Sequence, residues 1–280
     1  MTGRDPRLTP ARGDLAAKYL EGKVAASRFV EGKFREVIAP QASVRRSPAH
    51  DAPLDTEALK GDRVTVYETT EEGWCWGQLV SDGYVGWLPA SALGAPGAPM
   101  TDKVAVLRTL AFPGPSIKLP PVEALSLGCG VAVVRREGEF AVTAAGHYLP
   151  ARHLAPLAAM EPDFVAVAER FVGVPYLWGG KTSFGIDCSG LVQVALTASG
   201  LGCPRDSDMQ EGALGVSQPL DGGFRRGDLL FWPGHVAIAC DARTLVHANG
   251  FHMATAVEPI ETALARIAQA GGKLRSVKRL

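Results

Sequence analysis

The stretch Ile186-Asp187-Cys188-Ser189-Gly190-Leu191-Val192-Gln193 places a cysteine at the start of an apolar helical run, which continues to Ala198 and stops at Gly200. It follows a glycine- and aromatic-rich loop, Pro175-Tyr176-Leu177-Trp178-Gly179-Gly180. Unpaired backbone N–H groups and the macrodipole at a helix N-terminus favour negative charge and stabilise a thiolate. We therefore expect Cys188 to act as a nucleophile.

Two histidines downstream supply the other groups that nucleophilic catalysis needs. His235 begins the strand-like run Val236-Ala237-Ile238, and His247 lies in the next such run, Leu245 to Asn249. A hairpin would place the two histidines side by side. We predict that Cys188 attacks a carbonyl, that His235 is the general base, and that His247 fixes the tautomer and direction of the His235 ring. The alternative for His247 is a supporting residue outside the triad.

The composition of the 280-residue chain is that of a globular protein, with 46% hydrophobic and 21% charged residues. Lys plus Arg and Asp plus Glu each number 29, which argues against a general binder of nucleic acids or acidic membranes. No apolar run approaches the roughly 18 residues that a membrane span needs. Zinc-ligand spacing, an H-E-x-x-H motif and a phosphate-binding loop are all missing from the sequence. We expect no metal and no cofactor, and the oligomeric state is left open.

The N-terminal sequence and the cysteines predict a cytoplasmic protein. The run Met1-Thr2-Gly3-Arg4-Asp5-Pro6-Arg7 lacks the apolar stretch of a signal peptide. The number of cysteines is odd and none forms a C-x-x-C pair, which is typical of a reducing compartment. The four cysteines other than Cys188 are predicted to be structural: Cys75, Cys129, Cys203 and Cys240.

Two copies of a short-strand pattern occupy the first half of the chain. Residues 1–35, with a weak helical pattern at Leu15, Ala16, Tyr19 and Leu20, are assigned to an N-terminal arm. The copies then show the following correspondences: Val64-Thr65-Val66 with Val131-Ala132-Val133, and Trp87-Leu88-Pro89-Ala90 with Tyr148-Leu149-Pro150-Ala151. Such repetition predicts two small β-barrels, at residues 36–95 and 101–157. The first resembles bacterial SH3-like domains in its G-W-L-P strand end.

Residues 160–280 have a different pattern. A helix is predicted from about Glu161 to Gly173, followed by the Cys188 helix and a polar turn at residues 205–210. Strands are expected at 228–232, 235–240 and 244–248, then a helix at 259–270 and a strand at 274–279. Helices followed by consecutive strands predict an α+β domain with an antiparallel sheet.

Five ordered motifs in this region resemble the NlpC-type, papain-like cell-wall cysteine peptidases. They are P-Y-x-W-G-G, D-C-S-G-L-V, G-D-L-L-F, H-V-A-I and V-H-A, and together they span residues 161–280. With tandem SH3-like domains ahead of it, the chain resembles the γ-D-glutamyl-L-diamino acid endopeptidases. The resemblance implies a peptidase for peptidoglycan-derived peptides with a free N-terminal L-Ala, acting in cell-wall recycling, with either diaminopimelate or lysine as the diamino acid.

Several further residues acquire roles from this resemblance. Substrate contacts are implied for Asp187, Ser189, Asp206 and Ser207, and, from the first SH3-like domain, for Glu72 and Tyr84. Tyr176 would support the oxyanion beside the Cys188 N–H group, and Trp178 would line the groove. Alternatively, the two aromatic side chains pack the loop beside Gly179-Gly180. Asp187 has two open interpretations, because a carboxylate beside a thiolate needs a facing cation such as a substrate ammonium, whereas aspartate is also a common helix N-cap.

Two other functions are compatible with the sequence. The same Cys-His-His set serves amidases and acyltransferases, which act on lipids or small amides. Alternatively, the SH3-like domains could dock peptides beside a relic catalytic domain, although the intact Cys188, His235 and His247 argue against such a scaffold.

Overall fold

The computed structural model describes residues 4–221 and 223–280. The chain divides into an N-terminal unit that ends at Ala158 and a C-terminal unit from Ala159 to Leu280. Within the described residues, no helix combines the length and the apolar character required to cross a membrane.

The first half of the N-terminal unit is built on a seven-stranded sheet with the strand order β5-β4-β8-β7-β6-β3-β9. The strands of residues 15–94 are β1 (Leu15–Ala17), β2 (Arg28–Val30), β3 (Lys33–Val37), β4 (Gln41–Arg45), β5 (Leu54–Leu59), β6 (Arg63–Thr69), β7 (Trp74–Leu79), β8 (Val85–Pro89) and β9 (Leu93–Gly94). Side chains that alternate along these strands, such as Val64 and Val66 in β6, enter one core with Leu79 and Leu88.

In the N-terminal arm, the weak helical pattern gives a strand at Leu15–Ala17 and a single 3-10 turn at Lys18–Leu20, with no α-helix. Leu15 is fully buried and packs against Trp74, Trp76 and Trp87. The Arg12 guanidinium stacks over the rings of Trp76 and Trp87, at 4.4 and 4.9 Å from their centroids. This packing overrides the weak helical periodicity, because the free energy gained by burying Leu15 against indole rings exceeds the small differences in intrinsic helix propensity.

Residues 101–157 form three small sheets around a second core. The strands are β10 (Asp102–Val104), β11 (Arg108–Ala111), β12 (Glu123–Ser126), β13 (Gly130–Val131), β14 (Val133–Glu137), β15 (Phe140–Thr143), β16 (Tyr148–Pro150) and β17 (Leu154–Pro156). The sheets have the orders β13-β10-β17, β11-β12 and β14-β15-β16. Small and branched apolar side chains fill the core: Val104, Ala111, Leu125, Cys129, Val131 and Leu149.

The C-terminal unit contains a six-stranded sheet with helices packed on it. Its elements are α1 (Phe164–Glu169), β18 (Lys181–Thr182), β19 (Gly185–Ile186), α2 (Cys188–Ala198), α3 (Ser207–Ala213), β20 (Val216–Gln218), β21 (Leu229–Trp232), β22 (His235–Ala239), β23 (Thr244–Asn249), β24 (Ala254–Pro259), α4 (Ile260–Gln269) and β25 (Ser276–Arg279). The sheet order is β20-β25-β21-β22-β23-β24, and every neighbouring pair is antiparallel. This confirms the predicted α+β domain with an antiparallel sheet.

The structure also differs from the prediction in this unit. The polar segment at 205–210 is not a turn, because α3 begins at Ser207. Strand β24 was not predicted, although it pairs with β23 along its whole length. The first helix, α1, is a short one, with Asp163 as its N-cap accepting hydrogen bonds from the N–H groups of Val165 and Ala166.

A tight turn fixes where His235 begins its strand. Pro233 and Gly234 connect β21 to β22, so that Trp232 and His235 face each other across the pair. Gly234 has φ of 72°, which suits the third position of a type II turn, with proline favoured at the second. The turn therefore sets the register of the strand that carries the predicted base.

Candidate active site

Cys188 is the first residue of α2, and its side chain is nearly enclosed, with 7% of the residue exposed. The backbone N–H groups of Val236 and Ser189 donate toward the sulfur and lower the pKa of the thiol. Because Val236 directly follows His235, this contact brings the sulfur to the strand that carries the predicted base. The structure thus joins the two sequence motifs that contain Cys188 and His235.

His235 and His247 are hydrogen-bonded to each other, with His235 Nε2 at 2.9 Å from His247 Nδ1. They lie on adjacent antiparallel strands, β22 and β23, which pair at Ile238 with Val246. Since Nε2 of His235 is engaged by His247, Nδ1 is the nitrogen that can take a proton from Cys188. The arrangement fits the roles that were predicted for the two histidines.

Burial acts on both members of the reacting pair. Burial, reinforced by the Asp187 carboxylate, raises the pKa of the Cys188 thiol to about 12. Burial also lowers the pKa of His235 to about 3, assisted by His247 and Arg266 and opposed by Glu258. The helix start alone therefore does not make Cys188 a free thiolate, contrary to the expectation from sequence.

A proton transfer within the pair has different energetics from the ionisation of either group alone. Transfer from Cys188 to His235 creates both charges together, so that each is stabilised by the other as well as by the N–H groups that face the sulfur. The net charge of the buried site does not change in this step. The two groups therefore titrate as a coupled pair, and we expect ionisation of Cys188 to accompany protonation of His235.

Asp187 is both a helix N-cap and the partner of a buried cation. Its Oδ1 accepts a hydrogen bond from the Gly190 N–H group at 2.7 Å, and its Oδ2 accepts one from Gly179 at 2.8 Å. Arg205, which is 1% exposed, donates to both oxygens, at 3.0 and 2.8 Å. The cation that faces Asp187 is thus a residue of this chain, which supports the helix N-cap interpretation, while contact with a substrate ammonium stays a prediction.

Ser189 belongs to the same internal network. Arg205 donates to the Ser189 hydroxyl oxygen at 2.9 Å, and the hydroxyl donates to Asp187 Oδ1 at 3.3 Å. Gln210 from α3 donates to the Ser189 carbonyl oxygen at 2.9 Å. Ser189 is 6% exposed and supports the start of α2 through these bonds, and its substrate contact stays a prediction.

Tyr176 and Trp178 lie on the loop before α2. Tyr176 is partly buried, and its backbone N–H group donates to the Met253 carbonyl oxygen at 3.0 Å. Burial raises the pKa of its phenol, and the nearby Cys188 and Asp187 reinforce that shift, which shows that the hydroxyl lies within electrostatic reach of the sulfur. Trp178 is 64% exposed, so its indole is accessible, and lining of a substrate groove stays a prediction for it.

The remaining predicted contacts divide into exposed and buried residues. Asp206 and Ser207 are partly exposed at the start of α3, beside Arg205. Glu72 is exposed in the turn between β6 and β7, and its substrate contact stays a prediction. Tyr84 is 4% exposed and packs in the core of the first sheet, and its substrate contact likewise stays a prediction.

Sequence reasoning missed two charged residues at this site, Arg205 and Glu258. Arg205 is the first residue of a segment that was interpreted as a polar turn. Glu258 Oε1 lies 2.8 Å from His247 Nε2 and also accepts from Arg266. A signal for Glu258 was present in the alternation of Ala254-Thr255-Ala256-Val257-Glu258, which is typical of a strand.

Three of the described residues that could bind a metal ion lie close together, and one of them is His247 of the histidine pair. The possible ligand atoms of His247, His252 and Glu258 all lie within 4.8 Å of one another. Glu258 is already paired with the Arg266 guanidinium, whose positive charge disfavours a second cation at the same carboxylate. We therefore interpret the cluster as hydrogen-bonded support for His247.

Comparisons with known proteins match both units of the chain. Residues 44–93 match the bacterial dipeptidyl-peptidase Sh3 domain, and residues 173–266 match the NlpC/P60 family. Dipeptidyl-peptidase 6 of Lysinibacillus sphaericus is 37% identical over 99 residues, which cover 35% of this chain and 36% of that protein. The chain thus spans little more than a third of that relative.

Two further similarities cover most of the chain. A gamma-D-glutamyl-L-lysine dipeptidyl-peptidase of Bacillus cereus is 25% identical over 243 residues, which cover 75% of this chain and 71% of that protein. The crystal structure of an NlpC/P60 family protein from Bacillus cereus matches with a TM-score of 0.75 at 18% identity, covering 88% of this chain and 99% of that one, which shows a shared fold. The comparisons therefore identify a match to the NlpC/P60 family at residues 173–266 of the C-terminal unit, and a match to the bacterial dipeptidyl-peptidase Sh3 domain at residues 44–93 ahead of it.

Proposed function

We propose that the protein is a cysteine peptidase that hydrolyses the γ-D-glutamyl to L-diamino acid bond of peptidoglycan-derived peptides. The observation that carries the proposal is the set formed by a sulfur at the start of α2, the adjoining His235 and the hydrogen bond of 2.9 Å from His235 to His247. A nucleophile, a base and a group that orients the base are the parts that acyl transfer from an amide requires.

The reaction begins with attack of Cys188 Sγ on the γ-carbonyl carbon of the D-glutamyl residue. The thiol proton passes to His235 Nδ1, and the carbonyl oxygen becomes an oxyanion. The Cys188 N–H group stabilises the oxyanion, assisted by the Tyr176 hydroxyl. Because the Tyr176 pKa is raised, that hydroxyl keeps its proton and can donate it in a hydrogen bond.

Collapse of this intermediate breaks the carbon–nitrogen bond. His235 Nδ1 gives its proton to the leaving amine of the diamino acid, and a thioester to Cys188 remains. Water then attacks the thioester carbon while His235 Nδ1 accepts a proton, and the second collapse releases the γ-carboxylate and restores the thiol. His247 holds the His235 ring in one orientation through both steps.

The substrate class is supported by the names of the similar proteins. The Bacillus cereus relative is a gamma-D-glutamyl-L-lysine dipeptidyl-peptidase, and the Lysinibacillus sphaericus relative is a dipeptidyl-peptidase. An enzyme that releases dipeptides needs a free amino end, so we extend the proposal to peptides that begin with unblocked L-Ala. The diamino acid can be lysine or diaminopimelate.

The second β region and the cellular location complete the proposal. We assign residues 101–157 to a second, divergent SH3-like barrel, supported by short antiparallel strands around a core of their own. All five cysteines are free thiols, which suits a reducing compartment, and we propose that the enzyme recycles cell-wall fragments in the cytoplasm.

The test is a digest of L-Ala-γ-D-Glu-L-Lys and of its diaminopimelate and N-acetylated counterparts, followed by mass spectrometry. Release of L-Ala-γ-D-Glu from the unblocked peptides alone is expected. Cys188→Ala should abolish the release and leave the circular dichroism spectrum unchanged, with Cys203→Ala as the matched control at a thiol outside the site. Turnover by Cys188→Ala would refute the mechanism, and deacylation of lipids in place of peptide cleavage would favour an acyltransferase.

A further inference from the structure

A buried carboxylate continues the hydrogen-bonded chain beyond His247. Glu258 is 7% exposed, and its Oε1 lies 2.8 Å from His247 Nε2, while His247 Nδ1 lies 2.9 Å from His235 Nε2. The mechanism described above ends at His247 and gives Glu258 no part. Glu258 stands on β24, the edge strand that sequence reasoning missed.

The identity of the atoms dictates where the protons lie along this chain. An ionised carboxylate only accepts hydrogen bonds, so His247 must carry its proton on Nε2 and point a lone pair from Nδ1. That lone pair requires the proton of neutral His235 to be on Nε2. The lone pair of His235 is then on Nδ1, the nitrogen that must face a thiol to act as its base. One carboxylate thereby selects the tautomers of two successive rings.

Arg266 orients this carboxylate from α4. Its guanidinium donates to the same Oε1 atom that faces His247, and it stacks over the Phe251 ring at 4.3 Å from the centroid. The aromatic stacking limits where the guanidinium can point. A charged hydrogen bond to one oxygen therefore keeps Glu258 turned toward His247.

We propose that Glu258 is a positioning residue that sets the tautomers of His247 and His235, and that Arg266 holds Glu258 in place for this purpose. The inference rests on the proposed peptidase mechanism, but it concerns the Cys188–His235 pair and does not depend on which peptide is cleaved.

The charged and titratable groups around the two rings make the proposal testable by the sign of a shift. Those that act on the His235–His247 pair are His252 after β23, Glu258 on β24 and Arg266 on α4, and Cys188 on α2 faces the backbone beside His235. Glu258 raises the pKa of His235, and Arg266 lowers it. Removing the Glu258 charge should therefore lower the pKa of His235, and removing the Arg266 charge should raise it.

The experiment measures the pH dependence of Cys188 alkylation by iodoacetamide, together with kcat and KM for peptide cleavage. Glu258→Gln keeps the size of the side chain, and its amide oxygen can still accept from Arg266, so it should fold. The uncharged amide can present either its oxygen or its NH2 group to His247 Nε2, so it no longer selects one tautomer. We expect kcat to fall about 10- to 100-fold with little change in KM. In the pH profile of the alkylation rate, the limb that corresponds to the titration of His235 should move to lower pH by about half a unit to one unit.

Arg266→Met is the second variant, and in it the same limb should move to higher pH. Glu261→Gln, the same change at an exposed glutamate of α4, is the matched control and should leave both profiles unchanged. Unmoved limbs, or limbs that move in the same direction in both variants, would overturn the inference. Since alkylation needs no peptide, a wrong substrate assignment would leave this result intact.

Discussion

Replacement of Arg205 by methionine should destabilise the C-terminal unit and make Cys188 less reactive. The change removes four hydrogen bonds, two to Asp187 and one each to Ser189 and the Gly180 carbonyl oxygen. Asp187 would remain buried as a carboxylate, although the N–H groups of Gly179 and Gly190 would still satisfy part of it.

The magnitude follows from that partial compensation. Removing one partner of a buried ion pair costs about 3–5 kcal/mol of folding free energy. Because two N–H donors still bind the Asp187 carboxylate, we expect Arg205→Met to lie near the lower end, at about 3 kcal/mol. For a domain of this size the loss corresponds to a fall in Tm of roughly 10 °C. Arg205 also lowers the pKa of the Cys188 thiol, whereas Asp187 raises it, so alkylation of Cys188 at neutral pH should slow.

Differential scanning calorimetry and the alkylation rate measure the two effects. The double variant Asp187→Asn/Arg205→Met removes both charges and keeps a good N-cap residue, so it should recover about half of the lost stability and most of the reactivity. A loss below about 1 kcal/mol in Arg205→Met, or a double variant no more stable than the single one, would show that the buried charge pair is not what holds this loop to α2.

Two further predictions concern the cores of the units. Burial raises the pKa of Cys129 to about 12, so the folded state favours the protonated thiol. This contribution to the free energy of unfolding is fully present below the unfolded pKa of about 8.5 and is lost as the pH rises toward 12. Urea unfolding should therefore show the wild type losing about 2 kcal/mol relative to Cys129→Ala between pH 8 and 10. A Cβ atom on Gly190 would lie 2.4 Å from the Gly180 carbonyl oxygen, so Gly190→Ala should lower the free energy of unfolding by about 2 kcal/mol or more. A Cβ atom on Gly212 in α3 would have no neighbour among the described residues within 4 Å, so Gly212→Ala should stabilise the protein slightly. Equal effects of the two alanines on the unfolding midpoint would contradict the second prediction.

The sequence was most informative where chemistry and local structure coincide in one short motif. Cys188 could be placed at a helix start because an apolar run follows an aspartate, and Asp187 is the N-cap in the structure. The hairpin that carries His235 and His247 was predictable from two strand-like runs at close spacing. Each of these inferences needs only neighbours in the chain.

The parts that could not be predicted depend on partners far away in the sequence. Arg205 is buried only because Asp187 lies against it, and an isolated arginine among polar residues is typical of a surface turn. The sequence around Glu258 likewise indicates a strand but not the burial of this residue, since its environment is created by β23 and α4. The strand at Leu15–Ala17 exists because indole rings from β7 and β8 cover it, and helical periodicity does not report such contacts.

The stacking of Arg12 on Trp76 and Trp87 has a consequence for synthesis of the protein. The N-terminal arm leaves the ribosome before β7 and β8, so the surface that receives it is incomplete until β8 has been translated. During that interval Leu15 must stay in solvent or on a chaperone, because the indole rings that bury it have not yet been made. A fusion partner that immobilises the nascent N-terminus would delay this docking and lower the yield of folded protein.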